Sequence, residues 1–169
     1  MTSIRMHSIL SALIVGCLLT VSLNSASAEK KKFIYTKIAR QTIAETKIYP
    51  GNDREMIEGV YADTLKSSES EWDGIEERVY GHEVILTNGT GKHYGTAVDI
   101  FRDGDKLFQN YSGGHKTTGQ GDAQETIYEG SAEIVGGTGK YKNAKGTLTY
   151  RTKVSKQGIE EVDTVELEY

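Results

Sequence analysis

The chain has 169 residues, of which 37% are hydrophobic, with 19 Gly, 10 Tyr, one Pro and one Cys. A chain of that length forms one ordinary domain around a single core. A net charge of −4 without a basic patch excludes nucleic acid as a partner, and a lone cysteine excludes a disulfide framework or a cysteine-based metal centre.

The N-terminus reads as an address. Arg5 and His7 precede an apolar run from Ile9 to Leu23, and Ser25-Ala26-Ser27-Ala28 follows before Glu29-Lys30-Lys31-Lys32, which is the order of a secretory signal with an A-x-A cleavage site. Residues 1–28 are expected to be a signal peptide and 29–169 a single domain, secreted to the extracellular medium or the periplasm. Ile14-Val15-Gly16-Cys17 is a rival, a lipoprotein box that would anchor the chain through Cys17. The apolar stretch Leu18 to Leu23 behind it weighs against that, since anchored chains usually turn polar after the cysteine. Beyond Ala28 there are 19 basic and 24 acidic residues, a net charge of about −5. Lys30 to Lys32 then reads as a solvated leader. No second apolar run approaches the ~18 residues of a bilayer span.

From Phe33 onward nearly every segment alternates at period two, and none sustains the i, i+3, i+4, i+7 pattern of a helix. Strands are expected at Phe33–Thr46, Glu55–Leu65, Ile75–Thr87, His93–Arg102, Lys106–Ser112, Gln124–Val135, Gly146–Val154 and Ile159–Glu168. Between them lie turn residues, among them Pro50-Gly51-Asn52-Asp53, Asn88-Gly89-Thr90-Gly91, Asp103-Gly104 and Gln157-Gly158, where glycine supplies positive φ. Eight strands in sequential hairpins fit a sandwich or a barrel. An eight-stranded antiparallel up-and-down barrel is preferred, because closure removes the edges that a chain with one proline leaves unblocked.

Glu133 through Gly146 (EIVGGTGKYKNAKG) with the following strand Thr147 to Tyr150 resembles the glycine signature of dirigent proteins and the allene oxide cyclase barrels. Tyr94 to Asp99 and Asp103 to Phe108 resemble secreted bacterial members of that group. The resemblance implies an eight-stranded barrel of that type with an apolar cavity, assembled as a homotrimer. It implies no single reaction, because fold does not fix chemistry. Gly136-Gly137-Thr138-Gly139-Lys140 is not a phosphate loop, since Tyr141 follows the lysine and a strand, not a helix, follows Gly146. It reads as a tight turn with Tyr141 packed down as a plug.

Candidate site residues come from strand parity. A hairpin across Asn88–Gly91 and a second turning on Asp103-Gly104 place Arg78, Tyr80, His82, Leu86, His93, Ala97, Asp99, Phe101, Phe108 and Asn110 on one face. Tyr80, His82 and Asp99 are the catalytic candidates, an imidazole oriented by a carboxylate beside a phenol. Arg78, His93, Phe101, Phe108 and Asn110 are the ligand-binding candidates. The same residues also read as a polar cluster on an exposed face, which carries more weight than catalysis. His82, His93 and His115 lack metal-ligand spacing, so no metal is expected and no cofactor is implied. Asn88 and Asn110 begin glycosylation sequons that matter only in a eukaryotic source.

The function expected is a secreted barrel that binds an apolar or phenolic small molecule, acting as a cofactor-independent isomerase or cyclase. The alternatives are a non-catalytic dirigent-like carrier, or a structural and surface-interaction barrel filled by its own side chains. A cavity of about 300 Å³ or more would set the first two apart from the third.

Overall fold

Alternation at period two is what the strands use to build an inside and an outside. The computed structural model describes residues 29–169; the expected signal peptide and the rival Cys17 box fall outside the described residues. Eight strands run in chain order: β1 Lys30–Ile48, β2 Arg54–Ser67, β3 Glu76–Leu86, β4 Thr90–Ile100, β5 Lys106–Thr118, β6 Glu125–Gly137, β7 Lys145–Ser155 and β8 Gly158–Glu168. Each pairs antiparallel with its neighbours, and β8 returns to β1 to close the barrel. Two single-turn 3₁₀ helices, Gly121–Ala123 and Gly139–Tyr141, sit in the connections. Among the described residues no helix is long and apolar enough to cross a membrane.

The β2–β3, β4–β5 and β6–β7 connections gather at one end with the chain's last residue. There Trp72 is 1% exposed and packs against Phe33 at 4.6 Å, edge-on to Phe101 at 5.0 Å and flat against Tyr35 at 5.8 Å between ring centres. Tyr141 stacks on Phe101 at 4.4 Å, and its hydroxyl donates to Glu71. Glu71 also pairs with Lys140 at 2.6 Å and Lys31 at 3.3 Å. The Gly-rich turn is therefore a plug, as expected. Gly146 permits a close approach, since a Cβ there would sit 2.1 Å from the Glu166 carbonyl oxygen.

The hairpin loops decide what faces inward. The β3–β4 loop contains three residues, 87–89, and the β4–β5 connection, closed by the Phe101 N–H bond to the Asp105 carbonyl, turns through three, 102–104; glycine is last in each and at positive φ, Gly89 at +77° and Gly104 at +90°. The register is His82 opposite Tyr94 and Glu83 opposite His93, then Asp99 opposite Leu107. A four-residue loop at 88–91 and a two-residue Asp-Gly turn, the expected geometries, would shift the pairing by three residues and by one, respectively. Either shift exchanges the faces of a strand. β4 faces as expected relative to the core, whereas β3 and β5 are turned over.

β1 contains two register shifts against β2, one between Lys37 and Ala39 and one between Thr42 and Ala44. Each extra residue reverses the parity of the strand beyond it. Lys37 and Arg40, three residues apart, therefore both point at the barrel's interior, where an unbroken strand would hold them on opposite faces.

Candidate functional site

Above the aromatic plug the barrel encloses a cavity of about 170 Å³. Its walls are Tyr61, Tyr111, Tyr128 and Tyr150 with His93, and its floor includes Tyr35, Glu77, Ala132, Glu161 and Asp163. The volume falls short of the ~300 Å³ set as the mark of a ligand barrel, because the tyrosines fill much of the interior, and what they leave is a space of single-ring size.

Glycines make room for those tyrosines. A Cβ on Gly81 would lie 2.3 Å from the Tyr111 hydroxyl, one on Gly130 2.2 Å from the Tyr150 hydroxyl, and one on Gly59 2.2 Å from that of Tyr61. Gly59 pairs with Gly81 and Gly81 with Gly95 across three adjacent strands. The inward belt left bare of side chains is thus overlaid by rings from neighbouring positions. Glycine in a strand interior is otherwise unfavourable, so its recurrence at Gly59, Gly81, Gly95, Gly113 and Gly130 was the sequence signal for this cavity.

The floor is charged. Lys37 Nζ lies 2.6 Å from Glu161, 2.8 Å from Glu77 and 3.7 Å from Asp63. Arg40 makes a two-pronged contact with Asp63 at 2.8 and 2.7 Å, the geometry in which guanidinium and carboxylate bind most firmly. Gln109 donates to Asp99 at 2.6 Å. Burial tends to raise Glu161, but the Lys37 ammonium overrides it and holds the carboxyl below its ordinary value. For Glu77 burial wins over Lys37, and its pKa is raised. Asp99 is raised well above the carboxylate range by burial, with Glu77 adding to it. Burial, opposed by Lys37 and reinforced by Glu161 and Glu77, pushes Asp163 up to about 9. The floor therefore holds ionised carboxylate beside protonated carboxyl, a base and an acid within one cavity.

Nearer the opposite end His93 Nε2 shares a hydrogen bond of 2.6 Å with the Tyr150 hydroxyl. Burial, helped by His115, pulls the His93 pKa down to about 4, so this imidazole is neutral at ordinary pH. His115 Nδ1 lies 3.1 Å from Glu83, and burial lowers its pKa as well.

The expected site residues do not share one face. Asp99, His93 and Phe101 are buried inside, Phe101 within the plug. Tyr80 is 46% exposed and lies on the outer surface. His82 borders the cavity as the residue between Gly81 and Glu83, but its imidazole stacks on the exposed Tyr94 at 5.1 Å, beside Glu58. Arg78, which bonds Glu76, Phe108 and Asn110 likewise occupy outward positions of β3 and β5. The grouping of Tyr80 and His82 with Asp99 is corrected by the three-residue loops: Asp99 meets Glu77 and Gln109 instead. Lys37, Glu161 and Asp163 were not singled out by sequence, because β1 and β8 were read for strand rhythm alone. Among the described residues no group of three His, Cys, Asp or Glu is disposed to hold a metal ion.

Fold and site define a class, a closed eight-stranded antiparallel barrel with a tyrosine-walled, acid-floored cavity. No family model matches the chain, and no curated protein does. Among solved structures it is similar to two pterocarpan synthase dirigent proteins, each 14% identical. One has a TM-score of 0.48 over 86% of this chain and 88% of its own, the other 0.49 over 85% and 96%. It is also similar to a conserved protein of unknown function from Rhodopseudomonas palustris, 10% identical with a TM-score of 0.48 over 83% of this chain and 97% of that one. A protein with unknown function from Clostridium acetobutylicum ATCC 824 is 11% identical, with a TM-score of 0.48 over 86% and 99%.

Proposed function

We propose that the protein is an exported small-molecule-binding barrel whose ligand is of single-ring size and carries at least one polar group. The observation behind this reading is the cavity itself, about 170 Å³ walled by Tyr61, Tyr111, Tyr128 and Tyr150 over a polar floor. A cavity of roughly 150 Å³ is enough to hold benzene, and aromatic walls with a few convergent polar groups are the composition of a small-molecule site. Trp72, the sole tryptophan, stacks on the floor residue Tyr35 and so reports on what lies above it. Titration with phenol should give a saturable change in Trp72 emission that is lost in Ala132→Leu, which fills the floor. A linear, non-saturating response would overturn the reading in favour of a barrel filled by its own side chains.

A second reading is supported by the mixed protonation of the floor. Ionised Glu161 and protonated Asp163 lie two residues apart on β8 with Lys37 at the former, so a bound ring bearing a carbonyl would meet both a base and an acid. Exchange of the α-protons of acetophenone with solvent deuterium, abolished in Glu161→Gln, tests this isomerase-like chemistry; exchange at the uncatalysed rate refutes it. Export is tested by N-terminal sequencing of the mature product. A start at Glu29 supports the signal peptide, and a lipid-modified Cys17 would replace it with the anchor.

A further inference from the structure

The interior carboxyl groups outnumber the interior cations. Arg40 is committed to Asp63, and Lys37 is divided chiefly between Glu77 and Glu161. Asp99 has Gln109. Asp163 is left over: it is 1% exposed and lines the cavity, neither carboxyl oxygen has a hydrogen-bond partner within 3.5 Å, and the buried Tyr35 hydroxyl beside it is equally unpartnered. A buried carboxyl without a partner is costly, and two remedies exist, keeping a proton or accepting a cation. The walls above it are ring faces, which attract cations through their quadrupole. An anion would face the carboxylates, and a neutral ring would fill the walls but leave Asp163 unanswered.

We propose that the ligand is a single-ring organic ammonium, its ring against Tyr111 and Tyr150 and its charged nitrogen on the Asp163 carboxylate. This rests on the binding-barrel reading and names its ligand class. The incoming cation takes the place of the proton on Asp163, which leaves to solvent. The charged and titratable groups around Asp163 are Tyr35 and Lys37 from β1, Asp63 from β2 and Glu77 from β3. Asp99 from β4, Tyr150 from β7 and Glu161 from its own strand complete them. Of these only Lys37 is cationic, and it is already shared. Because the unliganded barrel keeps Asp163 protonated up to about pH 9, affinity for the cation rises with pH across the neutral range.

Three probes of one shape separate the outcomes: benzylamine, benzyl alcohol and benzoate, titrated into the mature protein between about pH 6 and 8. Benzylamine should bind about tenfold or more tighter than benzyl alcohol at the upper end, with the gap narrowing toward the lower end and benzoate not binding. In Asp163→Asn the gap should close while benzyl alcohol still binds. Equal affinity of amine and alcohol in the native protein overturns the proposal and leaves the binding barrel standing, as does a gap that survives in Asp163→Asn. Binding by none of the three overturns both. Should Asp163→Asn not fold, calorimetry of the native protein with benzylamine in two buffers of different ionisation heat decides the matter. Proton release supports the proposal, and no release refutes it.

Discussion

The plug beneath Tyr35 and the charged belt above it are built from successive inward positions of the same strands, yet they are held together by opposite means. Around Trp72 the side chains are aromatic and aliphatic, with Phe33, Leu65, Ile75, Phe101 and Leu107 in one buried cluster. One residue pair further along the barrel, Asp63, Glu77, Asp99 and Asp163 replace them, each almost wholly buried. The plug gains from the removal of apolar surface from water, which pH does not touch. The belt gains only while its ions are paired or its acids hold their protons. A barrel can thus carry a permanent structural end and a conditional, chemically responsive middle without changing its backbone.

Two substitutions break the two regions separately. Trp72→Ala should cost about 3–5 kcal/mol, the same at every pH in denaturant titrations. Lys37→Met should cost a similar ~3–5 kcal/mol near neutrality, because Glu77 and Glu161 lose their shared cation. That loss should shrink as pH falls and the stranded carboxylates protonate. A Lys37→Met defect independent of pH would mean that the lysine matters for its packing alone.

His93 sharpens the contrast from the other side of the belt. Its pKa falls from 6.5 to about 4 on folding, so the unfolded chain binds the proton more readily. The stability it contributes is whole above about pH 6.5 and is lost as pH falls through about 4, at up to about 1.4 kcal/mol per pH unit. His93→Gln should flatten this slope relative to the native protein. Smaller again is the effect of the glycine belt. Gly95→Ala drives a Cβ to 2.0 Å from the Tyr80 carbonyl oxygen, whereas at Gly81 the obstacle is the Tyr111 hydroxyl, a side-chain end. Gly95→Ala should therefore cost about 1–3 kcal/mol and Gly81→Ala less, measured by thermal unfolding. The smallest effect is expected outside the barrel, where Tyr80→Phe and His82→Ala should each stay within about 0.5 kcal/mol.

All eight strands were legible in the sequence because alternation and turn residues speak locally; the expected Glu55–Leu65 and Ile159–Glu168 differ from β2 and β8 only at their ends. The plug was legible at Tyr141 for the same reason. What could not be read was which side of each strand faced in. Asn88-Gly89 and Asp103-Gly104 announce hairpins, but a loop of two, three or four residues can contain the same pair, and only the positive φ of Gly89 and Gly104 at the third loop position distinguishes them. One residue of loop length moved Tyr80 and His82 from the expected cavity to the surface and brought Glu77, Tyr111 and Gln109 in. The two extra residues in β1, which turn Lys37 and Arg40 to one side, leave still less trace, since Ile38 and Ile43 look like ordinary strand residues.

The joint between first and last strands sets how the ring comes apart. β1 meets β8 over six residue pairs, Lys30 to Tyr35 against Asp163 to Glu168, while every other neighbouring pair of strands shares ten or more. Past Tyr35, β1 follows β2 alone out to Ile48, and β8 follows β7 back to Gly158. Local opening begins where the fewest bonds must be broken, so amides along this joint should exchange with deuterium before those of the β4–β5 pair. Lys37 on one lip and Glu161 on the other, 2.6 Å apart, form the clasp of that joint. Unfastening it would unroll the barrel sideways and open the interior between its first and last strands.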